Sequence, residues 1–369
     1  MRGSRYRELG LRPVINAAAT LTTLGGSRLA PPAVAAMAEA AEDFVDLPEL
    51  QRRVGERLAE LTGNEAGYVT CGAAAGITLA VASCITGAKP ARLEVFPGPV
   101  GAHRVAMFHG HRNSYDYAAR LFGASVVEFD ATLASMRHAV EPPTAAVLWF
   151  AGGHYAAGAP ELAELIELAR ERDVPVLVDA AAQVPPISSL WDFTIGAGAD
   201  AVIISGGKGL RGPQSSGMVL GRSSIIDGCR AHGAPRHGVG RGMKVGKEEL
   251  LGLLAAVQWS LGRDEAALLS QYERSVTSWL DGLRGLAGVR VERGYPSEAG
   301  QPHSRALLWV GPDSGWTTSA LVEALWDGDP RIAVLMVGEA IALNPQTLDP
   351  GEDMLVLEAL RSLLSPGLR

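Results

Sequence analysis

From residue 66 onward the chain alternates short β-rich runs with longer alanine- and leucine-rich segments, and this rhythm restricts the fold more than any other feature. "AGYVT", "RVAMF", "SVVEF", "AAVLWF", "VPVLVDA" and "DAVIISG" read as strands that are apolar on both faces, which requires a layer on each side of the sheet. "ELAELIELARERD" places its apolar residues at helical spacing. Strands that alternate with helices predict a wound, mainly parallel α/β sheet, and 369 residues at 47% hydrophobic content suffice to bury one.

The segment from Lys247 to Leu283 has continuous helical character and predicts a long connector leaving the sheet, with a boundary near residue 245. Beyond it "VRVERGY", "SRALLWVG", "RIAVLMVG", "AIALNP" and the terminal "GEDMLVLEALRSLL" predict a smaller α+β C-terminal domain. The expected organisation is therefore an arm or part of the small domain over 1–50, a large domain over 51–245, and connector plus small domain over 246–369. The turn-rich "LTTLGGSRLAPP" fits neither a linker nor a strand and is expected to lie over another part of the protein.

A formal charge of -7 provides no general attraction for nucleic acid or an anionic membrane, so a small-molecule partner is expected. Cys71, Cys84 and Cys229 lack metal-ligand spacing and cannot all pair, which fits a reducing compartment. The basic N-terminus has no apolar stretch behind it and no run reaches membrane-spanning length, so a cytoplasmic location is expected. "HGH" at 109–111 and "HGAPRH" at 232–237 do not form a metal motif. Gly207, Gly209 and Gly212 match G-x-G-x-x-G, but Pro213 and "QSSG" follow where a dinucleotide site needs a helix.

Lysine is scarce here, with only Lys89, Lys208, Lys244 and Lys247 among 33 basic residues. Lys208 closes the apolar run "DAVIISGGK", where its amine could form a Schiff base with an aldehyde; arginine, which stays protonated, could not. The alternative is a surface lysine in a glycine loop. Asp179 ends "VPVLVDA" and either holds a pyridinium nitrogen or caps the next turn. "CGAAAG" at 71–76 either cradles a phosphate on the N–H groups of a helix start or permits close packing. His111 either stacks on a flat ring or packs in the interior, and Ser205 is placed to add a hydroxyl to the phosphate.

In that order along the chain, "RPVINAAATLTTLGGSRLAPPAVAAM", "ELTGNEAGYVTCGAAAGITLA", "GHRNSYDYAARLFGASVVEF", "LVDAAAQVPP", "IISGGKGLRGPQSSGMVLG", "GRGMKVGKEELLGLLAAV" and "IALNPQTLDPGED" resemble a fold-type-I pyridoxal-phosphate (PLP) family. It is the aminotransferase-like family of bacterial selenocysteine synthase (seryl-tRNA selenium transferase) and the shorter D-glucosaminate-6-phosphate ammonia-lyases. The resemblance implies a PLP cofactor, with Lys208 in the internal aldimine, Asp179 on the pyridine nitrogen, and Gly72, Ala73 and Ala74 under the phosphate. It places His111 near the ring-stacking position and adds Gln183 to the cofactor-binding set. It also implies a homodimer or larger assembly with the "LTTLGGS" arm, including Thr23, close to the active site. Where related sequences often carry an arginine before "TL" for the substrate carboxylate, this chain has Gln346. The negative charge makes tRNA an unexpected substrate.

The reaction expected is α,β-elimination of ammonia-lyase type on an amino acid or amino sugar acid, through an external aldimine and an α-carbanion formed with Lys208 as general base. Racemisation or epimerisation uses the same carbanion and stays open, as does a non-catalytic PLP-holding or regulatory protein. Arg211, Arg236, Arg241, Lys244 and Lys247 either hold an anionic part of the substrate or form a solvated charged face.

Overall fold

Val147 and Trp149 pack into one apolar cluster and Ala146, Leu148 and Phe150 into another, so the strand that carries them is covered on both faces. A computed structural model describes residues 4–89 and 103–365. From the N-terminus its elements begin with α1 (Ser4–Glu8), β1 (Val14–Asn16), α2 (Pro31–Glu42), α3 (Leu47–Thr62), β2 (Ala66–Thr70) and α4 (Ala73–Thr86). Six strands follow: β3 (Arg104–Phe108), β4 (Ser125–Phe129), β5 (Thr144–Phe150), β6 (Val176–Asp179), β7 (Ala201–Ser205) and β8 (Gly217–Gly221). The last five are β9 (Val289–Gly294), β10 (Arg305–Val310), β11 (Arg331–Ala333), β12 (Leu335–Val337) and β13 (Ala340–Leu343).

The chain divides into two units, Arg28–Arg263 and the pair Met1–Ser27 with Asp264–Arg369. The larger holds a seven-stranded sheet in the order β2-β8-β7-β6-β5-β3-β4, parallel except for β8, which runs against both of its neighbours. The six β-rich runs are strands in this sheet, whereas "GMVLG" of β8 is a strand the sequence did not announce. It is short and bounded by glycines, and its burial follows from its position between two partners rather than from a pattern of its own.

Helix α4 is apolar almost all round because one side lies on the sheet and another on the helix Ser223–His232, where Ser83 Oγ donates to the Ile225 carbonyl at 2.8 Å. On the other face α3 starts at Asp46, whose carboxylate accepts the Glu49 N–H at 2.8 Å, and ends at Gly63 in the left-handed conformation. Helix α2 packs on the helix Lys247–Leu261.

The helical segment after residue 246 is two helices, Lys247–Leu261 and Glu265–Leu283. Gly262 ends the first, and the Asp264 carboxylate caps the second by accepting the Ala267 N–H at 2.9 Å. The division between the units falls in this break, at Arg263 and Asp264. In the smaller unit β12-β13-β10-β9 form an antiparallel sheet. Trp279, Leu308, Ile341, Leu343 and Leu360 fill its core with the helices Glu265–Leu283, Thr318–Asp327 and Glu352–Leu364. "RIAVLMVG" splits between two sheets, since β11 pairs with β1 in parallel and β12 pairs with β13. Among the described residues no helix is long and apolar enough to cross a membrane.

Candidate active site

Because β2, β3, β5, β6 and β7 run in one direction, their carboxyl ends share one edge of the sheet, the place where wound α/β folds bind ligands. Thr70 and Ser205 both register with Gly217, and Asp179 registers with Phe150 on one side and Ile203 on the other. The sequence candidates Gly72, Ala73, Ala74, His111, Asp179, Gln183, Ser205 and Lys208 all belong to the ends of these strands or the turns that follow them.

Asp179 is buried, and its Oδ1 accepts the Ala181 N–H at 2.9 Å, so the carboxylate does cap the next turn. Capping does not offset its desolvation. Burial pushes the carboxyl group up to about 6, against the opposing pull of the Ala181 hydrogen bond and of Lys208. Burial also lowers the Lys208 ammonium from its ordinary value, with Asp179 restraining the shift. A carboxylate and an amine that are each costly to charge therefore face one another electrostatically at the sheet edge.

Helix α4 begins without a side-chain cap. Its preceding residue Gly72 has φ +120°, which only glycine adopts without strain, and the first intrahelical bond runs from the Gly76 N–H to the Gly72 carbonyl at 3.1 Å. The amides of Ala73 and Ala74 thus lie in the first turn, at the positive end of the helix dipole. A Cβ on Gly217 would stand 2.6 Å from the Gly72 carbonyl carbon and 2.8 Å from the Ala73 nitrogen, so glycine at the start of β8 lets this turn sit directly on the sheet.

His111 is fully enclosed. Its Nδ1 accepts the Phe150 N–H at 3.3 Å, which leaves the proton on Nε2 to donate to the Tyr155 carbonyl at 3.1 Å. Trp149 meets the ring edge-on at 4.3 Å between centroids, Phe108 at 5.2 Å and Tyr155 at 5.5 Å. Burial lowers its pKa to about 4, so the imidazole is neutral. The stacking role expected for His111 is corrected by this packing, because no face of the ring is exposed to a ligand. Tyr155, which sequence reasoning passed over, is only half-buried on top of it. The signal was its position five residues past the end of β5, at the same edge.

The remaining candidates fall into separate places. Ser205 is half-buried at the end of β7, and Gln183 donates from Nε2 to the Ala151 carbonyl at 3.1 Å. Arg211 has φ +57°, donates through Nε to the Arg28 carbonyl at 2.9 Å and lies over the Trp259 ring at 5.5 Å. Lys247 Nζ donates to the Ala40 carbonyl at the end of α2 and pairs with Glu248 at 2.7 Å. Both cationic side chains thus tie segments of the unit together. Arg236, Arg241 and Lys244 are exposed on the loop after the helix Ser223–His232. Thr23 is exposed in the turn Thr22–Leu24 of the smaller unit, where Gln346 is buried and its N–H bonds Asn344 Oδ1 at 2.9 Å.

The donor set fits pyridoxal phosphate. A buried amine of lowered basicity suits an aldehyde, a buried carboxylate suits a ring N–H⁺, and an uncapped helix start suits a phosphate.

No family model matches the sequence. The chain is 35% identical to a 5'-C-glycyluridine monooxygenase-decarboxylase of Streptomyces sp, over 97% of this chain and 92% of that one. It is 32% identical to D-glucosaminate-6-phosphate ammonia lyase of Salmonella typhimurium over 97% of each, and 28% identical to an L-seryl-tRNA(Sec) selenium transferase of Nitratidesulfovibrio vulgaris over 93% and 79%. A solved D-glucosaminate-6-phosphate ammonia-lyase superposes with a TM-score of 0.83 at 31% identity, covering 99% of both chains. Serine palmitoyltransferase (SPT) with a PLP internal aldimine shares the fold at a TM-score of 0.61 and 14% identity, covering 95% and 87%. With two near-full-length relatives above 30% identity and the site chemistry they accompany, the chain belongs to the fold-type-I PLP-dependent enzymes, in the family of D-glucosaminate-6-phosphate ammonia-lyase and the seryl-tRNA selenium transferases.

Proposed function

We propose that the protein is an ammonia-lyase type enzyme that eliminates across the α and β carbons of an amino acid or amino sugar acid. Lys208 carries the cofactor, Asp179 bears on its ring nitrogen, and Gly72, Ala73 and Ala74 receive its phosphate, with Ser205 and Gln183 beside them. Bound there, PLP supplies an aldehyde that condenses with amines and a ring that takes up electron density. The observation that carries this reading is the buried electrostatic pair of Asp179 and Lys208 at the end of β6 and the turn after β7.

Lys208 Nζ, its basicity lowered by burial, would hold the cofactor and, as a free amine, would serve as the base that removes the substrate α-proton and returns a proton afterwards. The Asp179 carboxylate, fixed by the Ala181 N–H, would hold the ring nitrogen of the cofactor in its protonated form, the form in which the ring best accepts electron density. Arg241, with Arg236 and Lys244, supplies positive charge for an anionic part of the substrate. The working form is a cytoplasmic homodimer or larger homo-oligomer.

Sequence similarity to a named monooxygenase-decarboxylase favours a second reading, oxidative decarboxylation with dioxygen as co-substrate. One experiment separates the two. Purified enzyme is given D-glucosaminate-6-phosphate or 5'-C-glycyluridine in an oxygen-electrode cell, and ammonia, keto product, carbon dioxide and dioxygen are followed. Elimination yields ammonia and a keto product without oxygen uptake. Oxygen uptake coupled to carbon dioxide release overturns it, as does α-deuteration in D2O with substrate retained, which marks a racemase.

A further inference from the structure

Lys208 sits in a closed loop of the larger unit. The Gly212 N–H donates to the Gly206 carbonyl at 2.8 Å, which joins the ends of "GGKGLRG", and inside it the Arg211 N–H donates to the Lys208 carbonyl at 3.0 Å. Two glycines let the loop press against neighbouring backbone: a Cβ on Gly207 would stand 2.5 Å from the Gln214 Cα, and one on Gly209 would collide with the Val184 carbonyl oxygen. None of the loop's glycines has a positive φ; its left-handed residue is Arg211, at φ +57°. That conformation costs free energy for any residue but glycine and is uncommon for a long side chain. Glycine would occupy the position without strain, so an arginine held there points to work done by its side chain.

That work is visible in what Arg211 grips. Its Nε donates to the Arg28 carbonyl at 2.9 Å, and its own carbonyl accepts the Ala30 N–H at 2.7 Å. Its guanidinium carbon lies 5.5 Å from the centre of the Trp259 ring, over which the Arg263 guanidinium also lies at 4.5 Å. Ser260 Oγ, the next residue along, donates to the Leu210 carbonyl at 3.4 Å. Arg28 and Arg263 are the residues at which the chain enters and leaves the larger unit, and such crossings are where backbone movement between units is absorbed. One side chain therefore ties the lysine loop to a crossing segment on one side and, through Trp259, to the other. Without these ties the main-chain bonds of the loop would remain, but the loop as a body could shift.

We propose, building on the assignment of PLP to Lys208, that Arg211 is a positioning residue for that lysine: its guanidinium, held by the Arg28 carbonyl and the Trp259 ring, fixes the loop so that the Lys208 amine meets the aldehyde in one orientation. In that step the amine nitrogen adds to the aldehyde carbon and water leaves. An amine confined beside the reacting carbon acts at a high effective concentration, which falls steeply when its position loosens by about an ångström. Arg211 stays protonated throughout and moves no proton itself. The basicity of Lys208, set by burial and Asp179, is left as it was, so the contribution is one of geometry alone.

The test uses the whole chain as apoprotein and two probes. PLP reports the covalent step, through the rise of its visible absorption band in stopped flow and the mass of the Lys208 peptide after borohydride reduction. Pyridoxine 5'-phosphate, which has no aldehyde, reports non-covalent binding alone. Arg211→Gly is expected to slow the covalent step about tenfold. Its affinity for pyridoxine 5'-phosphate and its melting temperature are expected to stay as in wild type, because left-handed strain is relieved as the ties are lost. Arg211→Ala keeps the strain, and is expected to be as slow and to melt lower. Trp259→Leu spares the backbone of the loop and is expected to slow the step in the same direction by less. A wild-type rate in Arg211→Gly overturns the proposal even where Arg211→Ala is slow, since that assigns the backbone and not the guanidinium. A parallel loss of pyridoxine 5'-phosphate affinity also overturns it, since that assigns the arginine to the cofactor's cradle. A wild type that forms no adduct on Lys208 strikes the cofactor assignment itself and this proposal with it.

Discussion

The Ala181 N–H donates to the Asp179 carboxylate at 2.9 Å, two residues along the same turn, and this local bond is too weak to keep the buried carboxyl group at its ordinary acidity. Folded apoprotein therefore binds a proton between pH 4 and about 6 that the unfolded chain releases. Stability contributed by this group is full below pH 4, declines as pH rises to about 6 and is flat above. Pairing with a ring N–H⁺ needs the ionised carboxylate, so the dependence of cofactor affinity is the reverse. Dissociation constants for PLP measured between pH 5 and 8 should weaken by up to tenfold per unit below about 6 and change little above through this group. Asp179→Asn should flatten that segment of the profile, and an unaltered slope would remove Asp179 from the site.

Lys208→Ala removes the buried amine and with it the positive charge that opposes the rise of the Asp179 pKa. The expected outcome is loss of the covalent cofactor adduct, read by mass spectrometry after borohydride reduction, and a fall in turnover of at least about 10²–10⁴-fold. Retention of a borohydride-stable adduct on another lysine would reassign the nucleophile, and the scarcity of lysine makes the peptide map unambiguous.

Gly217→Ala tests the phosphate cradle without touching a polar group. The added methyl would meet the Gly72 carbonyl carbon at 2.6 Å and the Ala73 nitrogen at 2.8 Å, so the first turn of α4 must move off the sheet. Overpacking of this kind costs about 1–3 kcal/mol. PLP affinity measured by fluorescence quenching should drop at least about tenfold, because the amides that would meet the phosphate move with the turn. A variant that is destabilised yet binds PLP as wild type does would show that this turn is packing only.

The sheet was legible because each of its parallel strands is a run of residues apolar on both faces, a pattern that few other environments produce. β8 was not, since its five residues are bounded by glycines whose meaning is tertiary: Gly217 is required by the approach of Gly72, a contact between residues 145 positions apart. Lys208 and Asp179 were legible as outliers, an amine in an arginine-rich chain and a charge at the end of an apolar strand. His111 shows the opposite case. Its residue type suggested stacking, while the groups that enclose it, Phe150, Trp149 and Tyr155, come from a different strand end and a different loop. Tyr155 went unnoticed for the same reason, because only the Phe150 to Asp179 register places its turn at the site.

His111 should behave as a structural group. Its two nitrogens and its enclosed ring predict that His111→Ala costs about 2–4 kcal/mol, from one unsatisfied amide, one unsatisfied carbonyl and a cavity. With its pKa lowered to about 4 by burial, its imidazole carbon proton should keep one NMR chemical shift from pH 5 to 8. A titration midpoint near 6.5 would mean that the ring is solvated and the packing described for it is wrong.

Lys247 and Arg241 are six residues apart in a basic stretch, and the structure gives them different work. Lys247 Nζ is committed to the Ala40 carbonyl and to Glu248, joining the start of one helix to the end of α2. Arg241 is exposed on the loop. Lys247→Met should therefore lower stability by about 0.5–1.5 kcal/mol in urea unfolding while leaving KM where it was. Arg241→Gln should leave the unfolding midpoint in place and raise KM for an anionic amino substrate about tenfold with kcat nearly constant, the mark of a contact made equally in ground and transition states. A raised KM in Lys247→Met with none in Arg241→Gln would place the anion at the helix start rather than on the loop, and the charge assigned to the substrate's far end would have to move with it.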